Sequence, residues 1–148
     1  MKILAIDYGS KNIGLALSDD EQKIAFAYKT LNVGAYCNTP LPNNTRIQKI
    51  ISDIKNICEI EKVKKIIIGL PLWLTGDRSK TTELVFDFAR QLEQGIGLPV
   101  ETIDERLSTV EANKLFTLGK KKADNIDELS AQILLAGWLE KNNRLSNL

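Results

Sequence analysis

Apolar and polar positions follow two distinct rhythms along these 148 residues. The chain opens on a nearly unbroken apolar run, Ile3-Leu4-Ala5-Ile6, closed by Asp7. A central strand covered on both faces reads this way. After the turn Tyr8-Gly9-Ser10-Lys11-Asn12, residues 13–18 and 24–31 predict two more strands, separated by the polar residues 19–23. Short connections between three consecutive strands predict an antiparallel meander. The rhythm then changes. Residues 32–44 are rich in Gly, Asn and Pro and read as a loop. From Thr45 onward, Ile47, Ile50, Ile51, Ile54, Ile57 and Cys58 recur at the period of a helix. Residues 63–69 form a β-branched run too short for a helix, hence a buried strand. A loop over 70–80 carries Pro71, Trp73, Gly76 and Arg78. It leads to a helix with Val85, Phe88, Ala89 and Leu92 on one side, stopped by Gly95 and Gly97.

A fifth strand follows at 99–103. Ser108 and Glu111 match a capping box, which opens a helix ending at Gly119. A charged link over 120–125 joins it to a final helix over 126–141. The order β-β-β-α-β-α-β-α-α predicts an α/β fold: a five-stranded mixed sheet, with a three-strand antiparallel meander plus two parallel strands, flanked by helices. No repeat or linker interrupts it, so residues 1–148 are expected to form one domain.

Composition narrows the partners only slightly. Twenty Lys+Arg against 19 Asp+Glu leave a net charge of +1, so any nucleic-acid surface must be a local patch. Cys37 and Cys58 have no metal-type spacing, and Cys58 falls on an apolar helix face, where a thiol behaves as a small hydrophobe. No apolar stretch approaches the roughly 20 residues of a membrane helix. The first strand begins without a secretion-type leader. A soluble, cytoplasmic protein with no membrane partner is expected.

Three acidic positions stand at junctions between elements: Asp7, the Asp104-Glu105 pair after the fifth strand, and Asp127 at the start of the last helix. Carboxylates drawn from distant points of a chain suit a hard cation such as Mg²⁺ or Mn²⁺, which prefers oxygen ligands. The chain has no histidine, which removes the commonest zinc ligand and the usual neutral-pH base. Metal-activated water is then the economical route to hydrolysis. Each acid also has a plainer reading. Asp7 could cap its own turn, and Asp104-Glu105-Arg106 could be a solvated step. Asp127 could serve the helix dipole, although Ala131, Leu134 and Trp138 share its face and point it toward the sheet. Arg78 and Lys80, near a helix start, are candidate phosphate contacts. Gly-Lys-Ser/Thr is missing there, so the segment is not a Walker loop. Lys120-Lys121-Lys122 reads as a solvated charge run.

Four segments, taken together, resemble the YqgF family: Ile6-Asp7-Tyr8-Gly9-Ser10-Lys11-Asn12-Ile13-Gly14-Leu15-Ala16; Gly69-Leu70-Pro71; Asp104-Glu105-Arg106-Leu107-Ser108-Thr109-Val110-Glu111-Ala112; and Ile126-Asp127-Glu128-Leu129-Ser130-Ala131-Gln132-Ile133-Leu134. They occur in the family's order and span nearly the whole chain. These are Holliday-junction-resolvase-like proteins of RNase H-like fold, regarded as nucleases that mature the 5′ end of pre-16S ribosomal RNA. The resemblance implies that Asp7, Glu105 (with Asp104 second) and Asp127 converge on one or two Mg²⁺ or Mn²⁺ ions. It departs from the family at Asn12, where Arg is common, and at Ser108 and Ser130, where Thr and Ala are usual. The loop over 34–44 is also longer than usual.

The leading expectation is therefore a metal-dependent endonuclease acting on structured nucleic acid, with pre-rRNA favoured and branched DNA as the alternative. Lys11, Arg78, Lys80 and Arg106 would contact the backbone phosphates. Two other classes compete. Asp-x-Gly before a strand also resembles the first phosphate motif of actin-like ATPases, which need a second such domain. A non-catalytic RNA-binding assembly factor would use the same face without cleavage.

Overall fold

The computed structural model describes residues 1–8, 12–32, 43–70, 80–104 and 126–146. Five strands and three helices occupy them: β1 Lys2–Tyr8, β2 Asn12–Ser18, β3 Ala25–Asn32, α1 Asn43–Glu61, β4 Val63–Leu70, α2 Lys80–Ile96, β5 Val100–Asp104 and α3 Ile126–Ser146. The helix expected between Ser108 and Gly119 lies outside the described residues, as do Cys37 and residues 71–79 of the expected loop. The sheet order is β3-β2-β1-β4-β5. β1 and β2 pair antiparallel, as do β2 and β3, whereas β1–β4 and β4–β5 are parallel. This is the expected meander with two parallel strands added, and β1 is central.

Because side chains alternate along a strand, the apolar run of β1 serves two cores at once. Leu4 and Ile6 join Leu15, Ile66, Ile68 and Leu92 under α1 and α2. Ile3 and Ala5 join Ala16, Ile67, Ala131, Leu134, Leu135 and Leu139 on the opposite face, under α3. Phe88 anchors the first core, its ring 4.7 Å from that of Tyr8. Fully burying side chains of this size stabilises by roughly 1.5–3 kcal/mol each, before ordering entropy is counted.

Polar groups close the ends. Ser18, the buried polar residue among those described, accepts a hydrogen bond from the Ile3 amide (2.8 Å) and donates one to the Asp19 carbonyl (3.0 Å). Asp19 Oδ1 accepts the amides of Lys23 (2.7 Å) and Ile24 (2.8 Å) across the β2–β3 turn. Those bonds, Ile24's foremost, hold its carboxyl below the usual range. One expectation is corrected here. Gly95 does not stop α2 but lies within it. A Cβ there would stand 2.9 Å from Ile51 Cγ2, so its role is close approach to α1. Gly97, at φ +77°, ends the helix, its amide bonded to the Glu93 carbonyl at 2.9 Å. The loop reading of Asn43 and Asn44 is also corrected, since α1 already includes them.

Candidate active site

Asp7 stands at the carboxyl end of the central strand, half-buried. It belongs to the row of Ile3 and Ala5, so it shares the sheet face that α3 covers. In parallel sheets, the carboxyl ends of strands are where ligands collect. The sheet register sets Asp7 opposite Gly14 of β2 and Gly69 of β4, and Gly69 opposite Ile103 of β5. Ile103 packs into the α3-side core. Asp104, the last residue of β5, pairs with Leu70, one step out of phase with that row. Val100, in phase with Asp104, packs into the core on the other face.

Asp127 is the second residue of α3. Ala131 and Leu134, which share its helical stripe, are 0% and 3% exposed against the sheet, and half-buried Trp138 packs beside them. Lys65 Nζ lies 5.0 Å above the Trp138 ring and 2.6 Å from Glu101 Oε2. The far end of α3 is tied down as well. Asn143 Nδ2 donates to the Gln22 carbonyl at 3.2 Å, and Gln22 Nε2 donates to the Met1 carbonyl at 3.2 Å. The last turns of the helix therefore sit beside the amino end of β1, the end opposite Asp7.

Of the positions singled out by sequence, Asp7 is described in full. Asp104, Asp127 and Lys80 are described by backbone alone, and Lys11, Arg78, Glu105 and Arg106 lie outside the described residues. Among the described residues, no group of three acidic, cysteine or histidine side chains forms a metal cluster. In donor chemistry the candidate set is nonetheless apt, since carboxylate oxygens are what Mg²⁺ and Mn²⁺ take. Sequence reading missed one feature of the site: the glycines on both sides of Asp7. Gly14 and Gly69 both fall within the recognised motifs, but only strand pairing shows that they meet at one carboxylate.

No helix among the described residues is long and apolar enough to cross a membrane. Solved structures share the architecture. Thermus thermophilus RuvC superposes with a TM-score of 0.67 at 14% identity, covering 99% of this chain and 97% of that one. The T. thermophilus RuvC structure in complex with Holliday junction substrate gives 0.66 at 14% identity, covering 98% and 96%. The fold is thus RuvC-like, of the RNase H-like class. Relatives in sequence are nearer. A protein of Maridesulfovibrio salexigens named "Putative pre-16S rRNA nuclease" is 39% identical over 145 residues, 95% of this chain and 99% of its own length. One of the same name from Carboxydothermus hydrogenoformans is 34% identical over 152 aligned residues, 97% of this chain and 99% of its own. The family model RuvX, described as Holliday junction resolvase, matches residues 1–141. With that match over nearly its whole length, the chain belongs to the RuvX (YqgF) family.

Proposed function

We infer that this chain is a hydrolytic, phosphodiester-cleaving nuclease. We propose that it acts as a metal-dependent endonuclease trimming the 5′ end of pre-16S rRNA during ribosome biogenesis, as a single cytoplasmic domain. One observation carries the assignment of the site: Asp7, next to last in the central strand, lies on the face covered by α3, the helix that bears Asp127. A helix whose last turns sit beside the amino end of β1 carries its first turn toward the opposite end of the sheet, where Asp7 lies.

Strand period bears on the third ligand. Position 104 is out of phase with Asp7, so the next residue, Glu105, is the one in phase if the pleat continues. We therefore assign Asp7, Glu105 and Asp127 as the carboxylates that would hold one or two Mg²⁺ or Mn²⁺ ions. When bound, such ions supply activated water and stabilise the leaving oxygen. The protein's own part is to hold three carboxylates in fixed relative positions and to place the phosphodiester. Lys11, Arg78, Lys80 and Arg106 are proposed as phosphate contacts, which position a substrate without reading its sequence.

Asp7→Asn keeps the side chain's size and removes its charge. Cleavage of a pre-16S 5′-leader substrate in Mg²⁺ or Mn²⁺ should fall by about 100-fold or more, at or beyond the range for lost outer-shell partners of a metal. Its thermal midpoint should stay close to the parent's. Full activity in this variant would remove Asp7 from the mechanism. The family description and the RuvC complex favour a second substrate, a four-way DNA junction. Faster cleavage of that junction than of the RNA leader, under identical conditions, would make it the preferred reading.

A further inference from the structure

β3 is an edge of the sheet, and α3 covers one of its faces. On the other face α1 lies over β4, and α2 over β4 and β5. The amino half of β3 stays open there, with Phe26 52% exposed, Tyr28 39% exposed and Lys29 exposed beside them. Phe26 pairs with Leu17 and Lys29 with Leu15, both members of the first core, which sets them on the α1 side of the sheet. Tyr28 has no residue opposite it, because the register slips between Leu15 and Ala16. A bulge of this kind re-aims a side chain. Tyr28 Oη donates to Glu61 Oε1 at the end of α1 (3.3 Å), so it too lies on that side. Regular alternation would turn residues 28 and 29 to opposite faces. The bulge instead leaves two aromatic rings and an ammonium on one.

The edge itself is poorly suited to receiving another strand, since a bulge and a lysine are devices that keep edges from pairing. Charge points to a different occupant. Glu61 is matched by Lys2 (2.9 Å), Glu21 by Lys23 (2.9 Å) and Asp20 by the terminal amine of Met1 (3.6 Å). Asp19 Oδ1 accepts two backbone amides. Lys29 forms no ion pair among the described residues. The patch is therefore aromatic with one surplus positive charge. Lys29 also lies in the row of Leu15 and Ile6, next to the row of Asp7.

We propose that Phe26, Tyr28 and Lys29 form a platform for unpaired nucleotides: bases stack on the two rings, and Lys29 takes a phosphate between them and the Asp7 end of the sheet. This rests on the nuclease reading for the identity of the ligand as substrate. Every base has a face that stacks on an aromatic ring, and a basic group beside such rings holds a single strand without sequence choice. The bond from Tyr28 to Glu61 orients the ring in advance, which lowers the ordering cost of binding. Two strand spacings, roughly 10 Å, separate β3 from β1. A flexible single strand can turn over the β3 edge from the face of Asp7 to this one. A duplex, stiff over about 150 base pairs, cannot.

The test is the Kd, by fluorescence anisotropy in EDTA, for a labelled single-stranded RNA of the leader sequence, the same sequence as single-stranded DNA, and a blunt RNA duplex. Phe26→Ala and Tyr28→Ala should each weaken binding of the tighter single strand by about fivefold or more, the lower end of what alanine removes from one stacked base. Duplex binding should change far less. If the thermal midpoint of Phe26→Ala falls, Phe26→Leu, which keeps apolar bulk without a ring, carries the same criterion. A loss below fivefold in both alanine variants, or an equal loss on the duplex, would overturn the platform. A parent that sediments as a dimer, and as a monomer once Phe26→Ala is made with RNA binding intact, would assign the patch to a second copy instead. A parent that cleaves the four-way junction but binds no single strand defeats the platform alone. One that binds single strands yet cleaves no substrate with Mn²⁺ defeats the nuclease reading alone.

Discussion

Cys58 is 4% exposed on the inner stripe of α1, surrounded by the first core. Burial, with a smaller contribution from Glu59, pushes its thiol up to about 11. The thiolate is the reactive form, so Cys58 should resist iodoacetamide at pH 8 in the native protein and react once the chain unfolds. The measurement is made on a Cys37→Ser variant to isolate the signal. A raised folded-state value also means that stability is intact below pH ~9 and lost as pH climbs toward 11. The thermal midpoint should therefore fall less between pH 8.5 and 11 in Cys58→Ala than in the parent. Sequence periodicity alone revealed the burial of Cys58. It could not rank Asp104 against Glu105, because a strand's phase relative to its neighbours is invisible within five residues of one strand.

At the scale of elements, α3 shows how packing overrides local pattern. Its apolar residues are spread widely around the helix, yet Ala131, Leu134, Leu135 and Leu139 bury against β1, β2 and β4. Leu135→Ala should destabilise by about 2–5 kcal/mol, the range for a fully buried leucine, measured by urea unfolding. Leu145→Ala, at a residue 59% exposed on the same helix, should stay within about 0.5 kcal/mol. The helix also runs past the Lys141 end expected from apolar spacing, as far as Ser146. Tertiary and capping bonds supply the reason. Asn142 Nδ2 donates to the Trp138 carbonyl (2.9 Å), Asn143 reaches the β2–β3 turn, and Arg144 pairs with Glu140. Of the polar residues that read as a tail, Asn142 and Arg144 are held by residues one turn back, and Asn143 by a partner far away in the chain.

At the scale of the molecule, one sheet serves two cores, and every residue of β1 from Ile3 to Ile6 is buried in one or the other. Loss of either helix layer would expose the sheet on which the other depends. The single-domain reading therefore predicts one cooperative transition, with coincident far-UV circular dichroism and tryptophan fluorescence curves and a calorimetric enthalpy equal to the van't Hoff value. Two separated transitions would divide the chain into independent units.

Among the described residues, the sequence by itself determined which elements form and in what order, along with the acidic positions near their ends. Those signals are local: a period of two or of 3.6 is complete within a few residues. Strand order, register and face were decided only by the tertiary structure. They put Asp7 beneath the α3 side of the sheet, placed a glycine on each side of it, and turned Gly95 from an expected helix stop into a contact with Ile51. Neighbours across a sheet come from distant parts of the chain, and nothing in the spacing of either strand states which residue will lie opposite which.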